Sequence, residues 1–153
     1  MTERLALLIA TAGGVGYVPF ASGTFGSMVG LVVWAVLPAT VTSQAIAIAT
    51  LFVLGAWSGS VAERHFGRTD PSQVVIDEVL GMLITLLFNP VGWGGALLGF
   101  LLFRASDVIK PFPSNRLEQL PGGVGVMADD VMAAIYANLA LRFCIWSSGH
   151  LVI

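Results

Sequence analysis

Apolar residues fall into five segments along the chain, separated by breaks that are polar or rich in glycine and proline. The segments run from Phe25 to Leu37, Ser43 to Ala62, Val79 to Phe88, Val91 to Phe103 and Val131 to Trp146. At roughly 20 residues, only the second is long enough to cross a bilayer upright. The others either extend into their polar flanks or form re-entrant half-helices whose backbone groups bond to protein or water. The pattern predicts an all-α fold in one domain, residues 1–153.

The composition indicates that this fold lies in a membrane. Of the 153 residues, 56% are hydrophobic and only 10% are charged, and the mean hydropathy is +0.87. A soluble domain carries about 25% charged residues, which it needs to cover its surface. A net charge of −2 without a basic cluster also excludes a nucleic-acid binder. A helical domain that hides its apolar surface by forming a homo-oligomer stays open as an alternative.

The N-terminal stretch Leu5–Ile9 imitates a secretory signal, because it is apolar and precedes the small residues Ala10-Thr11-Ala12. Its apolar core is shorter than such signals need, and the lone Arg4 lies beside Glu3. We therefore expect the segment to remain in the mature protein.

Basic residues determine the expected orientation. If the five segments alternate in direction, six of the seven basic side chains fall on one side, and only Arg142 falls on the other. Cytoplasmic loops carry such an excess, so we expect this side to face the cytoplasm and the protein to lie in the inner membrane. Three tryptophans lie at the opposite segment ends, as an interfacial belt requires, although core packing explains them too: Trp34, Trp93 and Trp146.

The acidic residues follow the same side. Carboxylates are costly at a membrane and usually functional, so their convergence predicts a site there. The set comprises Glu63, Asp70, Asp77, Glu78, Asp107, Glu118, Asp129 and Asp130. Neither His65 nor His150 is assigned to this site, because a lone histidine in a connector or tail is usually solvated.

Four ordered motifs contain most of these side chains. They are GTFGS at 23–27, VIDEVLGM at 75–82, FR-x-x-D-x-x-KP-x-P at 103–113 and GGVGVMADD at 122–130, the last followed by Tyr136-Ala137-Asn138. Together they resemble the pattern of phosphatidylglycerophosphatase A, from about Ile9 to Asn138. Departures from that pattern replace no charged member of a motif and lie at Ser22, Ser106, Ser114 and Ala134.

This resemblance implies a magnesium-dependent lipid phosphatase that removes the terminal phosphate of phosphatidylglycerophosphate in phospholipid synthesis. The acidic pairs Asp77-Glu78 and Asp129-Asp130 fit that chemistry, since Mg²⁺ prefers oxygen ligands and is held by one or two carboxylates plus substrate phosphate. We expect these four carboxylates to bind the metal and count Asp77, Asp107 and Asp129 as catalytic. The alternative for each pair is capping of a helix N-terminus, where negative charge is stabilising.

Substrate contacts are expected from two other motifs. Arg104 and Lys110 carry positive charge, and Pro111 ends the segment just after Lys110, which would project the ammonium towards phosphate or allow it to snorkel to lipid. Asp107 is either a further metal ligand or the general base. Thr24 and Ser27 in GTFGS offer hydroxyl groups at a helix start, a place that suits phosphate, although the glycines there could serve close packing instead.

Two questions stay open on sequence alone. The nucleophile is either a metal-activated water or a carboxylate that forms an aspartyl-phosphate; Cys144, in an apolar run, is not a candidate. A rival function is a small transporter or channel subunit that binds cations. That function predicts carboxylates near the bilayer centre on broken helices, whereas here they lie at segment ends.

Overall fold

A computed structural model describes residues 2–117 and 119–148, so that Glu118 and His150 lie outside it. The described part of the chain contains seven α-helices and no strand, which confirms the all-α prediction. The helices are α1 Thr2–Ala10, α2 Ser22–Val36, α3 Val41–Phe66, α4 Ile76–Leu86, α5 Trp93–Ile109, α6 Ser114–Leu117 and α7 Gly123–Ser148, with a single 3-10 turn at Val15–Tyr17.

Two helices, α3 and α7, are long and apolar enough to cross a membrane, and the protein is a small helical membrane protein. The sequence left open whether the fifth segment extends into its polar flank, and it does, because α7 begins at Gly123 and not at Val131. Asp129 and Asp130 looked like the polar break before a segment. They are buried within α7, so the helix continues through them.

The long helices pack against each other through small residues. A side chain added at Gly59 would lie 3.1 Å from the Cα of Gly123, and one at Gly55 would overlap Met127. These contacts place the end of α3 beside the beginning of α7, so the two helices run antiparallel. Close backbone approach of this kind is typical of helices that associate in membranes. The Ser60 hydroxyl accepts a hydrogen bond from the Gly123 N–H at 2.8 Å, which satisfies a donor at the start of α7.

Helix α4 is the buried centre of the fold. Nine of its eleven residues are buried, and it contacts α2, α7, α3 and α5. Eleven residues extend only about 16 Å, roughly half of the hydrocarbon thickness. Carbonyl groups at the end of such a helix need donors. The Asn138 side-chain amide supplies them, donating to the carbonyls of Ile84, Thr85 and Leu87 at 3.0, 2.9 and 2.8 Å.

The remaining helices complete the frame around α4. Helix α5 continues beyond the predicted boundary at Phe103 to Ile109, and Lys110 ends it with a left-handed φ of 48°. Helix α1, which the five-segment pattern omitted, packs against α3. Trp34 and Trp93 contact each other edge to face at 5.8 Å, as residues at the same end of the molecule. Large apolar side chains cover the outside of the long helices, where lipid would lie.

Candidate active site

Three helices bring five carboxylates together at one end of the molecule. Asp77 and Glu78 lie in the first turn of α4, Asp107 lies in the last turns of α5, and Asp129 and Asp130 lie in α7. Carboxylate oxygens of Asp77, Glu78 and Asp130 lie within 4.8 Å of one another, as do those of Asp107, Asp129 and Asp130. The two triads share Asp130, so the five side chains form a single acidic cluster.

Burial makes this cluster electrostatically costly. Asp77, Asp129 and Asp130 are buried, and Glu78 is largely so. Burial raises the pKa of Asp77 well above its usual range, with the nearby Glu78 charge adding to the effect. Burial also raises the pKa of Glu78 to about 8. Carboxyl groups crowded in this way need positive charge if they are to stay ionised.

Some of that positive charge comes from two basic side chains. The Arg104 guanidinium lies 2.9 Å from Asp107 Oδ2 and 3.8 Å from Glu78 Oε1. The Lys110 ammonium lies 2.6 Å from Asp129 Oδ2. Lys110 is the only lysine in the sequence, and its position after the last turn of α5 directs it back to α7. The structure thus brings both predicted phosphate-binding cations to the acidic cluster.

In the triad Asp77, Glu78 and Asp130, each side chain has one buried oxygen that lacks a hydrogen-bond partner among the described residues. These buried atoms are Asp77 Oδ1, Glu78 Oε2 and Asp130 Oδ2. Buried acceptors are nearly always satisfied, so three unsatisfied oxygens in one place need an explanation. They belong to the triad Asp77, Glu78 and Asp130, which is of the size and chemistry that holds a metal ion.

The cluster opens into a cavity of about 640 Å³. All five carboxylates and both basic side chains line it. The opposite wall is formed by the residues before α2 and by the loop between α3 and α4, including Tyr17, Ser22 and Gln73. The volume is within the range of about 300–1,000 Å³ that ligand cavities occupy.

Comparison with known proteins agrees with this geometry. A model of the family described as phosphatidylglycerophosphatase A matches residues 8–145. The chain belongs to the phosphatidylglycerophosphatase A family. Two relatives are named phosphatidylglycerophosphatase A. The one from Haemophilus influenzae is 37% identical over 88% of this chain and 85% of its own length. The one from Escherichia coli is 30% identical over 89% of this chain and 81% of its own length.

A third relative, from Bacteroides thetaiotaomicron, is provisionally named a phosphatidylinositol-3-phosphatase; it is 36% identical over 95% of this chain and 96% of its own. No solved structure matches the chain. Membership in the phosphatidylglycerophosphatase A family makes this protein a lipid phosphatase, a hydrolase of phosphoric monoesters.

The family motif GTFGS does not place all of its side chains at the cavity. Thr24 and Ser27, predicted to bind substrate, are not among the residues that line it. Ser27 is buried, donates to the Gly23 carbonyl at 2.9 Å and accepts from the Arg104 guanidinium at 3.5 Å, so it supports Arg104. Gly23 does line the cavity, where an added side chain would overlap Glu78 Oε1.

The structure supports close packing at the glycines of α2, but it supports helix capping for only one of the two acidic pairs. Gly30, on the same helix as GTFGS, packs close to α4, where an added Cβ would lie 2.6 Å from Met82 Cβ. Asp77 lies in a first helical turn, where a carboxylate can also stabilise the N-terminus. Asp129 does not, because α7 begins six residues earlier at Gly123. Capping therefore cannot explain the second pair.

Apart from Asp70, sequence reasoning missed the loop between α3 and α4 that lines the cavity. The Arg68 guanidinium donates to Ser72 Oγ at 2.9 Å and to Gln73 Oε1 at 2.7 Å, which holds this loop in shape. The Ser22 hydroxyl donates to the Ser72 carbonyl at 2.6 Å and joins the loop to the start of α2. Gly16 allows the same approach, since a side chain there would overlap the Gln73 backbone. Besides Asp70, only the glycine offered a signal in the sequence.

Proposed function

We propose that this lipid phosphatase is a magnesium-dependent phosphatidylglycerophosphatase, which hydrolyses the terminal phosphate monoester of phosphatidylglycerophosphate to give phosphatidylglycerol. The observation that carries the proposal is the buried acidic cluster with two cations at its edge, inside a cavity built from the family's own motifs. The names of two relatives and of the family support this lipid as the substrate.

The residues present fit a divalent metal ion. Asp77, Glu78 and Asp130 provide buried oxygens without hydrogen-bond partners among the described residues, and Asp129 completes the predicted ligand set. All of these donors are hard carboxylate oxygens, the ligands that Mg²⁺ prefers. When bound, Mg²⁺ supplies positive charge for phosphoryl oxygens and lowers the pKa of a bound water.

The side chains of the site have separate roles in binding the substrate and in proton transfer. Arg104 and Lys110 hold the dianionic phosphate and stabilise charge that develops on its oxygens. Asp107, fixed by Arg104 at 2.9 Å, accepts a proton as general base or adds a ligand. Asp77 and Asp129 act as ligands, and a carboxylate of the cluster is also the candidate if an aspartyl-phosphate forms.

A substrate assay tests the proposal directly. Purified protein in detergent should release phosphate from phosphatidylglycerophosphate with Mg²⁺, lose that activity in EDTA and regain it when Mg²⁺ is restored. Phosphatidylinositol 3-phosphate is the matched comparison, since a relative is provisionally named for that activity. Faster turnover of the inositol lipid would mean that it, and not phosphatidylglycerophosphate, is the substrate. Full activity in EDTA would contradict the proposed dependence on Mg²⁺.

We also propose that the protein lies in the inner membrane with its cavity on the cytoplasmic face. Support comes from Arg64, in the last turn of α3, and from Arg68, just beyond it, whose guanidinium donates to Ser72 and Gln73 in the loop that lines the cavity. Accessibility labelling in a Cys144→Ala background tests this. Ser72→Cys, in the exposed loop of the cavity wall, should react from the cytoplasm, and Ala39→Cys, before α3, from the periplasm. The reverse pattern would overturn the orientation.

A further inference from the structure

Exposed apolar side chains border the cavity that holds the acidic cluster. Tyr17 and Phe20 lie on the chain before α2 and are 55% and 79% exposed. Val108 and Ile109, in the last turn of α5, and Phe112, just beyond it, are 76%, 73% and 64% exposed. We call these five residues the apolar rim. Tyr17 and Val108 also line the cavity, so the rim is continuous with it.

The carboxylates lie deep in this cavity, where Asp77, Asp129 and Asp130 are buried. Its exposed lining is of two kinds, the apolar Tyr17 and Val108 and the polar Asp70 and Ser72 of the loop before α4. Exposed apolar residues beside a charged site mark an interaction surface. The arrangement suits a ligand with one charged end and one apolar end.

We propose that the apolar rim receives the acyl chains of the lipid substrate. The lipid then enters sideways from the bilayer, between the chain before α2 and the end of α5. This inference rests on the proposed function in one respect, that the substrate is a phospholipid whose phosphate must reach the acidic cluster. With Arg104 and Lys110 holding that phosphate, Val108 is one helical turn beyond Arg104, on the side from which the chains arrive.

The dependence of KM on the acyl-chain length of the lipid tests the proposed role of the apolar rim. The variants Phe20→Ser and Val108→Ser are compared with Val53→Ser, which removes an apolar side chain that is 66% exposed on α3 and is not among those lining the cavity. Each protein is assayed on dioleoyl and on dihexanoyl phosphatidylglycerophosphate in the same detergent. The rim variants should raise KM for the dioleoyl lipid about tenfold, as one lost apolar contact predicts. The dihexanoyl lipid and the Val53 variant should change little.

Two results would overturn the rim as a substrate surface. One is an equal change in KM for both chain lengths, or the same change in the Val53 variant. The other is a change in oligomeric state of the Phe20 or Val108 variant, measured by light scattering, which would assign the rim to a contact between copies of the chain. If a serine variant melts well below the wild type, Val108→Ala takes its place in the same assay.

Photo-crosslinking separates failure of the rim from failure of the proposed function. Wild-type protein in EDTA is irradiated with phosphatidylglycerophosphate carrying a diazirine on one acyl chain, and the labelled residues are identified by mass spectrometry. We expect labels at residues 17–20 and 108–112. If these residues are labelled but the enzyme releases no phosphate from this lipid, the apolar rim is supported as a lipid-binding surface and the proposed substrate is wrong. If the labels are spread along α3 and the enzyme does release phosphate, the proposed role of the apolar rim is wrong and the proposed function stands.

Discussion

Two glycines on α2 provide a paired test of what positions the active site. Both face α4, but a side chain at Gly23 would overlap Glu78 Oε1 and lie 3.0 Å from an Arg104 nitrogen, whereas one at Gly30 would meet Met82 Cβ at 2.6 Å and the Val79 carbonyl oxygen at 3.0 Å. Gly23 therefore contacts the movable ends of site side chains, and Gly30 contacts the fixed core. The two alanine variants should consequently damage different properties.

Gly30→Ala should reduce stability. Overpacking costs about 1–3 kcal/mol, and the better helix propensity of alanine returns about 1 kcal/mol, so the net loss is up to about 2 kcal/mol. In a chain of this size, that lowers Tm by up to about 8 °C. Turnover per folded molecule should stay near that of the wild type, because none of the three closest atoms belongs to the acidic cluster.

Gly23→Ala should instead reduce turnover. Glu78 and Arg104 can move aside at little cost to stability, so Tm should stay within about 2 °C of the wild type. A displacement of about 1 Å in a positioned group can lower the rate about a hundredfold. Phosphate release and thermal unfolding in the same detergent measure both effects. Wild-type turnover in Gly23→Ala, or loss of turnover without loss of stability in Gly30→Ala, would refute this division.

Three further substitutions probe the acidic cluster and the end of α4. Asp77→Asn should lower turnover at least about a hundredfold with little change in melting, because it removes a proposed ligand and relieves charge crowding; near-normal activity at saturating Mg²⁺ would contradict the site. Lys110→Ala should raise KM or lower turnover while leaving Mg²⁺ dependence nearly unchanged; wild-type kinetics with a higher Mg²⁺ requirement would mean that it acts by organising Asp129, which it contacts at 2.6 Å. Asn138→Leu should reduce the free energy of unfolding in detergent by about 2–4 kcal/mol, since three carbonyls lose a donor, and unchanged stability would show that other donors replace it.

The carboxylates of the motifs illustrate how far local pattern can go. Charges interrupt the hydropathy pattern, so Asp129-Asp130 looks like the border of a segment, and the apolar segment begins eight residues after the helix that contains it. Buried carboxylates that face one another inside a helix bundle interrupt the hydropathy pattern in the same way as a polar loop does. Only the partners across the bundle, Asp77 and Glu78 on α4, distinguish these cases.

The sequence by itself determined the fold class, the membrane setting, the family and the residue types of the cluster. These depend on composition, on segment pattern and on four ordered motifs, all of which are properties of the chain. The tertiary structure alone decided that Asp130 belongs to both triads, that Lys110 contacts Asp129, that Ser27 supports Arg104 and that exposed apolar side chains border the cavity. Each of these relations joins side chains on different helices, and their distances depend on helix packing that no local spacing encodes.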